Sequence, residues 1–290
     1  MTALIAPEWS LPERAALGWF LLAWLGYGPL IQHLRSPGSI TARLRGNILD
    51  FKLLQARHGP LRMRELPGVR AFALPSPLAN VFQQQVLYEN PQALAESLAP
   101  LEAWYRELGV PAWRVPVLPP GDPAAEAVLR HAGHRAEDAI TGMGLPLTHP
   151  LAPRLPPGIT LEHPDDLDAV LELNGLAYGR DNVGAYTGWR TGPLPSTHLH
   201  AVVVREAGRA LACGVSFEQG DTAGIYLVAT HPDARRRGLG ALVMHGLHAD
   251  AHARGRSVAV LQASVMGLGL YQRLGYRDLG GWTNWVRRAS

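Results

Sequence analysis

A basic, glycine-containing segment reads Arg-Arg-Arg-Gly-Leu-Gly over residues 235–240. It follows a strand-like stretch at residues 224–230 and leads into apolar residues at helical spacing that continue to about residue 253. A helix start leaves its first N–H groups without internal partners and carries the positive end of the helix dipole. Glycines allow close backbone approach, and arginines add charge-assisted hydrogen bonds. The segment is therefore suited to bind a pyrophosphate.

Two common phosphate-binding motifs fit this segment poorly. A P-loop has Lys-Ser or Lys-Thr after its last glycine, whereas Ala241 and Leu242 follow here. A Rossmann turn has a third glycine three residues after the second, and that residue is Val243 here. The kind of anion therefore has to be read from a second motif.

The second motif lies downstream and contains a tyrosine. It reads Leu261-Gln262-Ala263-Ser264, then Gly267, then Leu270-Tyr271-Gln272-Arg273-Leu274-Gly275-Tyr276. Together with the Arg-x-x-Gly-x-Gly pattern of residues 235–240, it resembles the two cofactor motifs of the GNAT (Gcn5-related N-acetyltransferase) superfamily in order and separation. The resemblance covers the chain from about residue 158 to its end.

The resemblance implies an acyltransferase that moves an acetyl or other short acyl group from acyl-CoA (acetyl-CoA) directly to a nucleophile, commonly an amine. The backbone of residues 227–229 would pair with the pantetheine arm, and amides of residues 236–241 would hold the pyrophosphate. Tyr271 would protonate the departing thiolate, a role favoured here over that of an ordinary core aromatic. The implied cofactor-binding residues are Leu227, Val228, Ala229, Arg235, Arg236, Arg237, Gly238, Leu239, Gly240, Ala241 and Ser264.

The sequence departs from the family at the position of the catalytic base. Some members have a glutamate early in the strand before the glycine loop, but residues 222–224 read Thr-Ala-Gly. Glu218, Asp221 and His231 lie nearby without matching that position. The base would be water-mediated or absent, and a non-catalytic acyl-CoA-binding or regulatory protein is therefore the alternative function.

Composition argues against several other functions. The 290 residues carry a formal charge of +3, and the scattered basic residues face nearly as many acids, so no nucleic-acid surface is expected. Cys213 is the only cysteine, which excludes an intrachain disulfide and a Cys-x-x-Cys metal site, and we expect a buried strand thiol. His245, His248 and His252 share a helical face that we expect to be solvated, and no metal is expected.

An apolar run at residues 15–31 is slightly shorter than the ~20 residues of a membrane span, and glycines and a proline interrupt its end. We expect a buried helix there, with a membrane-associated acyltransferase as the alternative. No targeting segment is visible, so the expected location is the cytoplasm. The oligomeric state is left open, with a homodimer among the options.

The order of the predicted elements indicates an α/β (α+β) fold with a mixed, GNAT-like central sheet flanked by helices. Predicted strands lie at residues 80–88, 113–118, 139–147, 159–162, 200–205, 210–217, 224–230, 258–262 and 276–286. Predicted helices begin near residue 90 and lie at 123–131, 164–177, 238–253 and 267–274, and residues 1–60 look helical.

A proline-rich linker near residues 148–158 divides the chain into expected domains at 1–150 and 151–290. Both parts end in a similar order of elements, which indicates a tandem of two GNAT-like halves. The first half lacks an Arg-x-x-Gly-x-Gly pattern, so we expect it to support the other half or to shape the acceptor pocket. Residues 178–189 are expected to form one wall of that pocket, for a small polar molecule or a peptide end.

Overall fold

A computed structural model describes residues 39–75, 81–118, 121–190 and 193–288. The apolar run at residues 15–31 lies outside these residues, as does the helical interpretation of residues 1–38. Among the described residues, no helix is both long enough and apolar enough to cross a membrane.

The described residues of the first half form three helices and five strands. They are α1 (Ile40–His58), β1 (Arg62–Leu66), β2 (Val69–Ala73), β3 (Gln85–Tyr88), α2 (Pro91–Glu107), β4 (Ala112–Val117), α3 (Pro123–His131) and β5 (Arg135–Pro146). Each helix begins at a side-chain cap, because Ser39, Asn90 and Asp122 accept a hydrogen bond from the N–H three residues ahead. These local signals explain why the starts of α2 and α3 were readable from the sequence; the start of α1 was not predicted.

Two features of this half differ from the sequence predictions. The hairpin of β1 and β2 was not predicted, although Gly68, with φ +69°, supplies the backbone conformation that its turn needs. The strand predicted at residues 80–88 is limited to Gln85–Tyr88. Just before it, the side-chain amide of Gln84 accepts from the N–H of Leu74 at 2.7 Å and donates to its carbonyl at 3.0 Å. A side chain therefore makes the bonds that a longer strand would make with its backbone.

The second half follows the predicted order of elements, with their ends shifted by a few residues. It contains β6 (Ile159–Glu162), α4 (Asp168–Tyr178), a 3-10 helix (Arg180–Trp189), β7 (Leu199–Glu206), β8 (Arg209–Gln219), β9 (Thr222–Thr230), α5 (Leu239–Ala253), β10 (Val258–Ala263), α6 (Val265–Arg273) and β11 (Arg277–Arg288). Apolar residues alternate between two clusters along β7: Val202 and Val204 pack with α5, and Ala201 and Val203 pack with α1 and α4. The sheet is therefore buried on both faces.

The strands of the described ranges join in one mixed sheet of eleven, in the order β1-β2-β3-β4-β11-β5-β10-β9-β8-β7-β6. The pairs β3–β4 and β9–β10 are parallel, and the other neighbouring strands are antiparallel. The last strand, β11, lies between β4 and β5 of the first half, and β5 lies between β11 and β10. Each half thus adds its last strand to the sheet of the other. The domain boundary near residue 150 stays a prediction, and strand pairing runs across it.

His248 on α5 corrects the expectation of a solvated histidine face. It is 4% exposed, and its Nε2 shares a hydrogen bond of 2.8 Å with the hydroxyl of Tyr276. His134 in the first half is similarly buried and packs edge-on against Trp113. Burial lowers the pKa of each imidazole to about 4.

Acidification from about pH 6.5 toward 4 is expected to destabilise the protein through these two histidines. The unfolded chain takes up protons near pH 6.5, while the fold keeps the imidazoles neutral to a lower pH. Their stabilisation is present above pH 6.5 and is lost as the pH falls, by about 1–3 kcal/mol each. Urea unfolding across this range should show a smaller loss for His248→Gln than for wild type. The exposed His252→Gln is the control, and equal losses in all three proteins would contradict the role of His248.

Candidate active site

A wedge opens in the sheet where the parallel strands β9 and β10 stop pairing. Their last paired residues are Ile225 and Leu261, although β9 continues to Thr230 and β10 to Ala263. A β-bulge lies at the same place, because the pairing of β8 with β9 shifts between Cys213 and Val215. A bulge bends the strand that carries it and increases its twist. The two strands therefore diverge beside residues 226–230.

Two backbone carbonyl groups at the bulge accept hydrogen bonds from side chains of α4. The carbonyl of Leu227, which has φ +52°, accepts from Asn174 Nδ2 at 2.8 Å. The carbonyl of Val228 accepts from the hydroxyl of Tyr178 at 3.0 Å. Ala229 pairs with Cys213 in the ladder. The Leu227 carbonyl also accepts from Cys213 Sγ at 3.6 Å, so of these two carbonyls it is that of Val228 whose second lone pair can accept one more hydrogen bond. Contact of residues 227–229 with a pantetheine arm stays a prediction.

The N-cap residue of α5 is Gly238 in the glycine loop, and its φ is +79°. No side chain of this cap accepts a hydrogen bond from the first turn of the helix. In the part of the chain that the structure describes, the N–H groups of residues 236–238 donate to no backbone carbonyl. Leu239 and Gly240, in the first turn of α5, have no intrahelical acceptor. The N–H of Ala241 differs, because it donates to the carbonyl of Gly238 at 3.0 Å. The amides of residues 236–240 are therefore the ones that fit an anion.

The three arginines of the loop have different surroundings. Arg237 forms a bidentate pair with Glu206, with contacts of 2.6 and 3.0 Å, and is thus already neutralised. Arg235 is exposed, and its charge partly opposes the rise that burial causes in the pKa of Tyr178. Arg236 is exposed and has a positive φ of 63°. Of these three arginines, Arg235 and Arg236 form no salt bridge with a described carboxylate, whereas Arg237 does.

The tyrosine motif forms the short helix α6. Ser264 caps this helix by accepting from the N–H of Gly267 at 3.3 Å. A Cβ on Gly267 would come within 2.8 Å of the ring of Tyr271, so glycine makes room for that ring. Tyr271 is 8% exposed, and within the described part of the chain its hydroxyl has no hydrogen-bond partner. Burial raises its pKa, and Tyr178 raises it further, so the phenol is protonated at neutral pH.

Tyr271 lines a cavity of about 270 Å³, and residues from both halves of the chain form its walls. The second half contributes Asn174, Tyr178, Tyr186, Ile225, Tyr226, Leu227, Val228, Gln262, Ser264 and Tyr271. The first half contributes Ile48, Phe51, Lys52, Phe82, Gln83, Gln85 and Arg114, none of which the sequence motifs had indicated. Of the predicted acceptor wall, Tyr178 and Tyr186 face the cavity, whereas Trp189 is buried against Phe51. The side chains of Arg180 and Asp181 lie outside the described part of the structure.

None of the described residues that line the cavity is a carboxylate. At Gly224, near which some GNAT proteins have a glutamate, a Cβ would overlap the side chain of Asn47 from α1. Glu218 is buried in a salt bridge with Arg254 at 2.6 Å, and Asp221 pairs with Arg43 at 2.7 Å. Cys213 is fully buried, as expected, and burial raises its pKa to about 12. The arrangement therefore offers a proton donor, Tyr271, but no acidic side chain as a base.

The sequence model of the acetyltransferase (GNAT) domain matches residues 197–278, from β7 to the start of β11. These residues of the chain are thus similar to a GNAT domain. The match includes the glycine loop, the wedge and Tyr271. No curated protein sequence matches the chain.

Solved GNAT structures share the fold of nearly the whole chain. A GCN5-related N-acetyltransferase from Kribbella flavida has a TM-score of 0.65 at 18% identity, covering 87% of this chain and 97% of that one. Another, from Sphaerobacter thermophilus, has a TM-score of 0.56 at 19% identity, covering 78% and 82%. A tandem GNAT protein from the clavulanic acid biosynthesis pathway has a TM-score of 0.52 at 16% identity, covering 86% and 95%. The predicted tandem GNAT-like fold is thereby confirmed.

Proposed function

We propose that this protein transfers an acetyl or other short acyl group from acyl-CoA to an amine of a small molecule or peptide. The observation that carries the proposal is the hydroxyl of Tyr271, which has no hydrogen-bond partner among the described residues and lies in a cavity bordered by the divergent strands β9 and β10. Acyl-CoA, when bound, supplies a thioester carbon that an amine can attack. The amides of residues 236–240 and the bulge at Leu227 and Val228 are suited to hold its pyrophosphate and pantetheine.

The residues of the chain then position the acceptor and move protons. The amine nitrogen forms a bond to the thioester carbon as the carbon–sulfur bond breaks. Tyr271 gives its hydroxyl proton to the leaving sulfur, and the proton lost by the amine passes to water. Water also returns a proton to Tyr271. Acetyl-CoA titration by calorimetry, followed by thiol release with a panel of amines, tests this proposal. Binding without thiol release would favour the alternative, a non-catalytic acyl-CoA-binding protein, which the lack of a carboxylate in the cavity supports.

The loop arginines are expected to contribute unequally to acetyl-CoA affinity. Arg235→Ala combined with Arg236→Ala should weaken binding about 10-fold, because charge-assisted bonds to phosphate are lost. Arg237→Ala should change the dissociation constant less than about twofold, because Glu206 already holds that guanidinium. Calorimetry at one fixed salt concentration measures all three proteins, and a larger loss for Arg237→Ala would contradict the assignment.

The location, the other partners and the oligomeric state stay predictions. We expect a cytoplasmic protein that does not bind nucleic acid, and a homodimer is one possible oligomeric state. Fractionation of a cell lysate tests the location, and gel filtration with light scattering tests the oligomeric state.

A further inference from the structure

Two buried cationic side chains line the cavity that contains Tyr271. Lys52, the only lysine of the chain, is on α1 and is 8% exposed. Arg114 is on β4 of the first half and is 3% exposed. Both line the same cavity as Tyr271, Leu227 and Val228.

Within the described structure, the hydrogen-bond partners of these two cations are all neutral. Lys52 Nζ donates to Gln83 Oε1 at 2.7 Å and to the carbonyl of Phe82 at 3.3 Å. Arg114 donates to Gln85 Oε1 at 2.8 Å, to Asn284 Oδ1 at 3.2 Å and to the same Phe82 carbonyl at 3.4 Å. None of the described carboxylates forms a salt bridge with either cation. Donors are left over as well, because Arg114 Nε has no acceptor and an ammonium has three N–H groups.

Such an arrangement is unfavourable for the protein alone. Buried cations lose hydration, and only an opposite charge with good geometry repays that loss. Burial, with Arg114 as a further cause, lowers the pKa of Lys52 well below its usual value, and burial lowers the pKa of Arg114 to about 10. A ligand anion in the cavity would favour both charged forms and would accept the unused hydrogen bonds.

We propose that the acceptor is a small amine that also carries a carboxylate, held by Lys52 and Arg114 while its amine faces the Tyr271 side of the cavity. This rests on the proposed function. A cavity of about 270 Å³ suits a molecule of amino-acid size. Its other walls include Ile48, Phe51 and Tyr226, which suit an apolar or aromatic body between the two polar ends. A singly charged carboxylate is also easier to desolvate in such surroundings than a doubly charged phosphate.

The test compares amines that differ only in the carboxylate: L-phenylalanine with phenethylamine, and L-leucine with isopentylamine. Thiol release from acetyl-CoA gives kcat/KM for each. We expect each carboxylated amine to exceed its partner by about 10- to 100-fold in the wild type. Lys52→Met with Arg114→Met should abolish the preference mainly through KM. Arg43→Met, which removes a cation of α1 paired with Asp221 outside the cavity, should leave it unchanged.

A second measurement separates this inference from the proposed function. Calorimetry without acetyl-CoA should show L-phenylalanine binding to the wild type and at least about 10-fold weaker binding to the double variant. The thermal stability of that variant should be unchanged or raised, because uncompensated buried charges are removed. Turnover of decarboxylated amines with equal efficiency overturns the inference and leaves the proposed function standing. Carboxylate binding without any acetyl-CoA binding overturns the proposed function, and with it the role of the bound molecule as acceptor, and leaves only a carboxylate-binding site. A double variant that binds L-phenylalanine as well as wild type overturns the role of the two cations.

Discussion

Replacing Tyr271 by phenylalanine is expected to lower turnover at least about 100-fold, the smaller end of the range for loss of a general acid. The ring should stay in place, because Gly267 leaves room for it and Tyr276 packs against it at 5.8 Å between ring centroids. Only the hydroxyl is removed, and it has no hydrogen-bond partner among the described residues, so no buried partner is left unsatisfied. Acetyl-CoA affinity should therefore change by less than about twofold.

Thiol release measures the turnover of Tyr271→Phe, and calorimetry measures its affinity for acetyl-CoA. Tyr88→Phe is a matched control, since that hydroxyl contacts Asp122 at 3.3 Å in the first half and does not line the cavity. Turnover of Tyr271→Phe equal to that of wild type would show that the departing thiolate needs no proton from this residue. A large loss of affinity would indicate a structural role instead.

Replacing Gly224 by alanine is expected to destabilise the protein by about 2–3 kcal/mol. The added Cβ would overlap the side chain of Asn47 and come within 2.8 Å of the ring of Tyr226. Asn47 joins α1 to the sheet, because it donates to the carbonyl of Phe217 at 3.0 Å and accepts from the hydroxyl of Tyr226 at 2.7 Å. Displacing it disturbs both bonds. A fall in Tm of roughly 4–12 °C would correspond to this loss.

Urea and thermal unfolding measure this effect. Gly269→Ala is the control, because its added Cβ meets only the end of the Arg273 side chain, at 3.4 Å, and helix propensity favours alanine. Asn47→Ala combined with Gly224→Ala should lose less stability than the two single changes added together, since the first removes the overlap. Strict additivity would show that Asn47 is not the group that excludes a side chain at residue 224.

Much of the second half was predictable because its signals are local. The strand over residues 159–162 and the helix beginning near Gly238 follow from short patterns of apolar spacing and turn residues. The hairpin of β1 and β2 was missed because Arg62, Arg64 and Glu65 make β1 look like a loop. The buried His248 was missed because helical spacing tells which residues share a face but not what covers that face.

By itself, the sequence determined the glycine loop, the tyrosine helix and their order, and hence the resemblance to a GNAT domain. Those features depend on residues within a few positions of one another, where backbone conformation follows from residue type. Only the tertiary structure decided that β11 lies between β4 and β5, and that Lys52 and Arg114 share a cavity with Tyr271. These residues are far apart along the chain, and their approach depends on how the whole sheet pairs and packs. No local pattern encodes that, so the two GNAT-like motifs could be read from the sequence, whereas the proposed acceptor site needed the tertiary structure.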